Sequence, residues 1–228
     1  MKYQDIHPWA VSYSEALLIQ KKLSRMVESK PLDQPVNFVA GADISFSKAD
    51  NRLFTAVVVL TFPDLQKVEE VWTQGEATSP YVPGLLSFRE APPLLAAFAQ
   101  LQHDPDVILI DGQGIAHPRR LGLASHLGVI LGRPTIGCAK SRLTGEYSSP
   151  GEQKGDRSLL QHEGKTIGMV LRTRRKTKPI FVSIGHMIDL EMAVSIVLAC
   201  TRIYRLPETN RQAHILANRI RVEALAKL

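Results

Sequence analysis

The run Val107-Ile-Leu-Ile110, followed at once by Asp111-Gly-Gln-Gly-Ile-Ala-His117-Pro-Arg-Arg120, constrains the fold more than any other part of the chain. An apolar β-type stretch that ends on a carboxylate puts a potential metal ligand at a strand's end, where open α/β sheets gather their ligands. The glycines that follow let a substrate come close to backbone N–H groups, because no Cβ stands in the way. The arginine pair brings charge suited to phosphate. A turn with a helix-capping aspartate is the plainer reading, and on these residues alone the two are even.

The surrounding pattern favours a sheet. Ser14 to Glu28 reads as an amphipathic helix with Leu17, Leu18, Met26 and Val27 among its apolar positions, and Pro31 and Pro35 break the chain after it. Three β-like runs follow, Phe38 to Phe46, Leu53 to Phe62 and Gln66 to Gln74, with short polar connections that predict antiparallel pairing. A helix is expected from about Phe88 or Pro92 to Gln102, since proline is tolerated in a first turn. Then come the strand Val107–Ile110, a helix over Leu121–Leu131 and a strand over Thr135–Ala139. Thr144 to Arg157 reads as a loop, followed by strands over Thr166–Arg172 and Ile180–Ser183 and helices near Asp189–Arg202 and Arg211–Lys227. Three antiparallel strands, helix, strand, helix, strand is the order of an α/β, ribonuclease-H-like mixed sheet flanked by helices. We expect a single domain over residues 1–228.

With 28 Lys plus Arg against 22 Asp plus Glu, the formal charge is +6, which favours a polyanionic partner such as nucleic acid. Cys138 and Cys200 lie far apart in apolar surroundings and read as reduced core residues, not a disulfide or a zinc site. No apolar run approaches the roughly 18 residues of a membrane span, and the first ten residues lack the pattern of a signal peptide. The expectation is a cytoplasmic monomer.

Asp43 interrupts the mostly apolar strand Val39-Ala-Gly-Ala-Asp-Ile-Ser-Phe46, where a charge is costly unless paired or metal-bound. Glu90 stands just before the expected Pro92-Pro93 helix start, and Asp111 ends the fourth strand. If the first and fourth strands are neighbours, Asp43 and Asp111 point to one face about 5 Å apart, with Glu90 reaching in from the helix above. Three carboxylates that close repel one another unless a hard divalent cation such as Mg²⁺ or Mn²⁺ sits between them. A hydrogen-bonded strand aspartate at Asp43, a capping aspartate at Asp111 and a helix-start glutamate at Glu90 are each ordinary alone, but the ordinary reading of all three carboxylates needs three coincidences.

Two further blocks carry a resemblance. Pro80-Tyr81-Val82-Pro83-Gly84-Leu85-Leu86-Ser87-Phe88-Arg89-Glu90 and Asp111-Gly112-Gln113-Gly114-Ile115-Ala116-His117-Pro118-Arg119 strongly resemble the endonuclease V family. Gly41-Ala42-Asp43 before them, and Gly122 to Gly128 and Pro134-Thr-Ile-Gly-Cys-Ala-Lys140 after them, match in order. The resemblance runs from near residue 36 to near His214 and is weakest between Thr144 and Lys165. It implies a ribonuclease-H-like fold and hydrolysis, supported by Mg²⁺ with Mn²⁺ as a substitute, at the second phosphodiester 3′ to deoxyinosine. It makes Asp43, Glu90 and Asp111 metal-binding, Lys140 a partner of the scissile phosphate, and His214 an active-site neighbour. One departure is Pro207-Glu208-Thr209-Asn210-Arg211, where the family commonly has Pro-Glu-Pro-Thr-Arg.

The remaining residues divide by task. Pro80-Tyr81-Val82-Pro83 suits strand opening, because prolines stiffen the loop and Tyr81 can fill the space left by a departing base; a rigid turn packed on the core is equally open. Backbone groups near Gly84, Leu86, Gly112 and Gly114 can meet a flipped hypoxanthine, with His117 shaping the pocket. Arg119 and Arg120 can track phosphates, as can Arg172, Arg174, Arg175, Lys176 and Lys178, although these five also fit a solvated hairpin. Two alternatives stand beside inosine-containing DNA as the substrate: an endoribonuclease acting on inosine-containing RNA, and a non-catalytic nucleic-acid binder. Clustered acids facing phosphate argue against the last.

Overall fold

The structure, a computed structural model, describes residues 1–77, 79–80 and 82–226. Eight strands form one mixed sheet: β1 (Phe38–Ser47), β2 (Arg52–Thr61), β3 (Lys67–Glu76), β4 (Val107–Ile110), β5 (Thr135–Ala139), β6 (Arg157–His162), β7 (Lys165–Leu171) and β8 (Ile180–His186). Their order across the sheet is β3-β2-β1-β4-β5-β8-β7-β6. β1, β2 and β3 pair antiparallel, while β1–β4 and β4–β5 pair parallel. The ribonuclease-H-like order expected from sequence is therefore present, and an antiparallel wing of β8, β7 and β6 extends it.

Helices cover both faces, as the apolar runs of the central strands require. α2 (Leu86–Phe98) and α3 (Leu123–Leu131) pack Leu94, Leu95, Phe98, Leu127 and Ile130 on Ala40, Ala42, Val57, Val59 and Ile108. On the other face, α4 (Leu190–Ala199) and α5 (Glu208–Leu225) bury Val194, Val197, Leu216 and Ile220 with Val39, Phe54, Val58 and Leu109. α1 (Tyr13–Leu23) starts with a capping box, in which Ser12 and Glu15 satisfy each other's backbone N–H groups. Among the described residues, no helix is long and apolar enough to cross a membrane.

Four expectations change. α1 buries Ala16, Gln20 and Leu23, while Leu18 and Met26 are exposed; a 3-10 turn over Ser24–Met26 ends the helix early and turns the apolar stripe. α2 begins at Leu86 and holds Pro92 and Pro93 in its interior, so Glu90 lies within the helix and not before it. Two interior prolines remove two helical N–H donors, and the burial of Ala91, Leu94, Leu95 and Phe98 around them holds the helix together. Directly after the expected loop, where no element was expected, Arg157–His162 forms β6, joined to the loop by a bridge between Glu146 and Gln161. At the variant block, Pro207 caps α5 and the chain runs straight into the helix.

Candidate active site

In the β1–β4 register Ala42 stands opposite Ile110, so Asp43 and Asp111 are the next residues along two hydrogen-bonded parallel strands. Neighbouring strands lie about 4.8 Å apart, which brings the two carboxyls side by side. Residue alternation along β1 puts Gly41 and Asp43 on the face that α5 covers. That approach depends on glycine: a Cβ on Gly41 would stand 2.2 Å from the backbone carbon of Thr209. The close contact seats α5 so that His214, in its second turn, meets Asp43 at 2.6 Å (Nδ1 to Oδ2). Asn218 donates its amide N–H to His214 Nε2 at 3.1 Å, and Ser45 Oγ donates to Asn218 Oδ1 at 2.9 Å. Nε2 therefore accepts, and His214 Nδ1–H donates to Asp43.

Glu90 projects from α2 into the field of both aspartates. Burial first, then the charges of Asp43 and Asp111, push its pKa up to about 7. Burial and the Asp111 charge also raise Asp43, against the hydrogen bond from His214. Lys140, beyond the end of β5, forms an ion pair with Asp111 Oδ2 while keeping about 40% of its side chain exposed. Among the described residues, no three His, Cys, Asp or Glu side chains close around one point as a ready-made cation cage. Asp43, Glu90, Asp111, Lys140 and His214 nevertheless share one end of the central strands. Arg205, which sequence reasoning missed, supports them: its guanidinium donates to the carbonyls of Lys140 (2.7 Å) and Pro179 (2.8 Å).

Beside the carboxylates, Gly84, Leu86, Ser87, Gly112, Gln113 and His117 line a cavity of ≈ 90 Å³, closed further by Leu121 to Leu123 and Leu143. Asp111 adjoins the lining residue Gly112, and Glu90 is one helical turn from the lining residue Leu86. His117 Nδ1 accepts from the Arg119 backbone N–H at 3.1 Å, so its Nε2–H donates to the Gly84 carbonyl at 3.1 Å. Burial first, then the nearby Arg119 charge, lowers its pKa to about 4 and keeps it neutral.

Two of the expected substrate contacts have partners within the protein. Gly114 does not line the cavity: its N–H donates to Ser183 Oγ at 2.8 Å, its carbonyl accepts from Gly122, and a Cβ there would meet the Ile184 carbonyl oxygen at 1.9 Å. Its glycine serves packing against β8. Arg119 donates from Nη2 to the Gly84 carbonyl at 2.7 Å and from Nε to Gln20 Oε1. Gln20, buried in α1 and unnoticed in the sequence, adds a third donor to that carbonyl at 2.9 Å. In the preceding loop Pro80 and Pro83 are exposed, while Val82 packs on Leu85 and Phe88. Tyr81 lies outside the described residues. Arg172 is spent on the carbonyls of Pro150, Gly151 and Thr177, whereas Arg174, Arg175, Lys176 and Lys178 are exposed.

An α/β sheet of ribonuclease-H-like order, with Asp43 within β1 beside Asp111 at the end of β4, fits a nuclease class of protein. Comparison with known proteins narrows that class. The family model described as Endonuclease V matches residues 21–215, and the chain belongs to that family and is an endonuclease. An endonuclease V of Dehalococcoides mccartyi is 49% identical over 217 residues, spanning 95% of this chain and 97% of the relative. The crystal structure of endonuclease V from Streptomyces avermitilis shares 42% identity with a TM-score of 0.90, covering 95% and 96% of the two chains. That of Ciona intestinalis, bound to a 24mer DNA containing an inosine followed by a ribo-adenosine, shares 29% identity with a TM-score of 0.82 over 92% and 98%.

Proposed function

We propose that this chain, acting as one domain, recognises deoxyinosine in DNA and hydrolyses the second phosphodiester bond 3′ to it, leaving 3′-hydroxyl and 5′-phosphate ends. Mg²⁺ is the proposed cofactor, with Mn²⁺ able to substitute. The observation that carries this reading is Asp43 beside Asp111 on adjacent strands, with Glu90 within electrostatic reach of both, near a recess of ≈ 90 Å³. The donor set is all oxygen, which suits a hard divalent cation. Its electrostatics suit one too, since Glu90 and Asp43 hold protons more tightly than ordinary carboxylates. A cation bound there supplies Lewis-acid activation of water and neutralises charge at the phosphate.

The chain's own groups do the rest. His214 orients Asp43 through Nδ1–H and is a positioning residue. Lys140 holds an exposed ammonium beside Asp111, where it can meet a phosphoryl oxygen as charge develops on it. The Gly84 carbonyl, gripped by Gln20, His117 and Arg119, fixes the entrance to the recess. A flipped base enters there after the duplex opens, the task assigned to the Pro80–Pro83 loop and Tyr81. The Ciona intestinalis relative was crystallised with a ribo-adenosine after the inosine, so inosine-containing RNA belongs in the test.

Matched inosine-containing and unmodified DNA and RNA oligonucleotides, incubated with Mg²⁺ or EDTA, test the reading. Cleavage of inosine DNA alone, one nucleotide beyond the lesion's 3′ neighbour bond and only with the metal, is the expected result. Uncut inosine DNA in Mg²⁺, with folding verified, would overturn it. Faster cleavage of the RNA would reassign the substrate.

A further inference from the structure

The segment between Glu163 and Asp189 contains six Lys and Arg and no acid. Those six equal the chain's whole excess of +6, because the other 22 Lys and Arg are matched by 22 Asp and Glu. Four of them, Arg174, Arg175, Lys176 and Lys178, lie in the turn that joins β7 to β8, and all four are exposed. Among the described residues, none of the four makes an ion pair. Of the acids beside the turn, Glu152 meets it through its carbonyl, which accepts from the Lys176 N–H, and Asp156 Oδ2 accepts from the Gln153 N–H. Charges of one sign so close repel one another. Lys176 also takes φ +53, a conformation that glycine or asparagine adopts at less cost. A turn shaped for stability alone has no use for such a cluster.

Strand register puts this turn at the catalytic end of the sheet. Ala42 pairs with Ile110, Ile110 with Gly137, Ala139 with Phe181 and Leu171 with Ile180. Asp43, Asp111, Lys140 and Arg172 therefore follow those pairs towards one and the same end. Arg205 fixes the turn there. Its carbonyl accepts from Thr173 Oγ1 at 2.5 Å, and its guanidinium donates to the carbonyls of Pro179 and Lys140 at 2.8 and 2.7 Å. One residue thus holds both stems of the turn and the backbone of the lysine beside Asp111. Arg172 stiffens the turn from within, donating to the carbonyls of Gly151 (2.8 Å), Pro150 (3.1 Å) and Thr177.

Resting on the DNA reading above, we infer that Arg174, Arg175, Lys176 and Lys178 form a second phosphate-binding surface, which grips the duplex backbone flanking the cut. Three strand spacings separate β4 from β7 across β5 and β8, about 14 Å. At about 3.4 Å per base pair along a strand, that is roughly four base pairs from the cut. The turn holds cations, threonines and a proline but no aromatic ring, so it offers charge to phosphate and no platform for a base. It positions the duplex without reading its sequence. Charge held at a fixed distance from Lys140 also sets the direction in which a strand crosses the carboxylates.

Replacing the four together (Arg174→Gln, Arg175→Gln, Lys176→Gln, Lys178→Gln) tests the surface. Binding of inosine-containing and unmodified duplexes is followed in EDTA by fluorescence anisotropy over a range of salt concentrations. Each lost phosphate contact removes about 0.9 from the slope of log K against log salt. The variant's slope should be shallower by about 2–4, and its affinity roughly tenfold or more lower at low salt, by the same factor on both duplexes. Unchanged slope and affinity, with folding verified, would overturn the proposal. Duplexes carrying single neutral methylphosphonates then locate the contact. Wild type should lose affinity at a group of phosphates roughly three to six base pairs from the cut, and the variant should be indifferent to those same replacements. Losses that multiply independently at every position would place the four cations off the DNA, as would coupling confined to the phosphates next to the cut. None of these readings needs turnover, so a protein that bound in this way but left inosine DNA uncut would fail the functional reading alone.

Discussion

Glu90→Gln should make the metal-free protein more stable and the enzyme inactive. Burial and the two neighbouring aspartates raise Glu90 from 4.5 to about 7, so ionising it in the folded state is unfavourable. The sign follows. Below pH 4.5 the carboxyl is protonated whether folded or unfolded, and there is no penalty. As pH rises toward 7 the unfolded chain ionises first, so stability falls; above 7 the loss is complete. One pKa step is about 1.36 kcal/mol, which bounds the loss at about 3 kcal/mol. Asp43 is raised by the same cluster and shares the repulsion, so about 1–3 kcal/mol is the expected gain for a neutral amide of the same shape. For a chain of this size that is a rise of roughly 3–10 °C in Tm.

Calorimetry in EDTA at pH 5, 6, 7 and 8 checks this. The advantage of Glu90→Gln over wild type should be small at pH 5 and grow with pH, reaching its full value near pH 8. An offset independent of pH would refute the electrostatic account, and a less stable variant at pH 8 would show that Glu90 is compensated within the protein.

Asp111→Asn should abolish most cleavage while inosine DNA is still bound, as measured by gel shift; unchanged turnover with folding verified would remove Asp111 from the chemistry. Lys140→Ala should lower the single-turnover rate about 10²–10³-fold, with arginine rescuing only part, and binding should change far less. A wild-type rate would leave Lys140 as no more than a partner of Asp111. Tyr81→Ala should weaken binding of inosine duplexes by roughly 1–3 kcal/mol and of inosine single strands by less, by analogy with stacking losses in single-strand binders. Equal losses on both would mean that Tyr81 does not hold the opened duplex.

The sheet was legible because its central strands are strongly patterned. Val107–Ile110 and Thr135–Ala139 match the observed strands end to end, and β1 to β3 differ from expectation by only one or two residues. β6 was lost because Arg157–His162 is an edge strand with Leu160 alone fully buried, so its composition resembles a solvated loop. The start of α2 was lost because two prolines speak locally for a first turn, whereas tertiary burial decides. Asp43 and Asp111 could be picked out because a charge inside or just after an apolar strand stands out from its neighbours. The carbonyl partner of Arg119 could not be read, because a guanidinium looks the same in sequence whether it meets phosphate or carbonyl. Gln20 and His7 contact residues 64 to 119 positions away, and no local signal marks such partners.

The arrangement explains why so much of the chain is spent on close backbone contact near the site. Asp43, Glu90 and Asp111 repel one another, so left to itself the sheet end would relax by spreading. Parallel pairing of β1 with β4 forbids the two aspartates from separating, because Ala42 and Ile110 just before them are held in register. Gly41 brings the start of α5 onto β1, and Asn210 locks it by donating to the Leu109 carbonyl at 3.2 Å. Gly114 packs the strand-end loop on β8 in the same way. These contacts involve no charge and survive changes in protonation. They hold the carboxylates in place at a stability penalty that the ionised site imposes, and the same penalty favours any cation that lowers it.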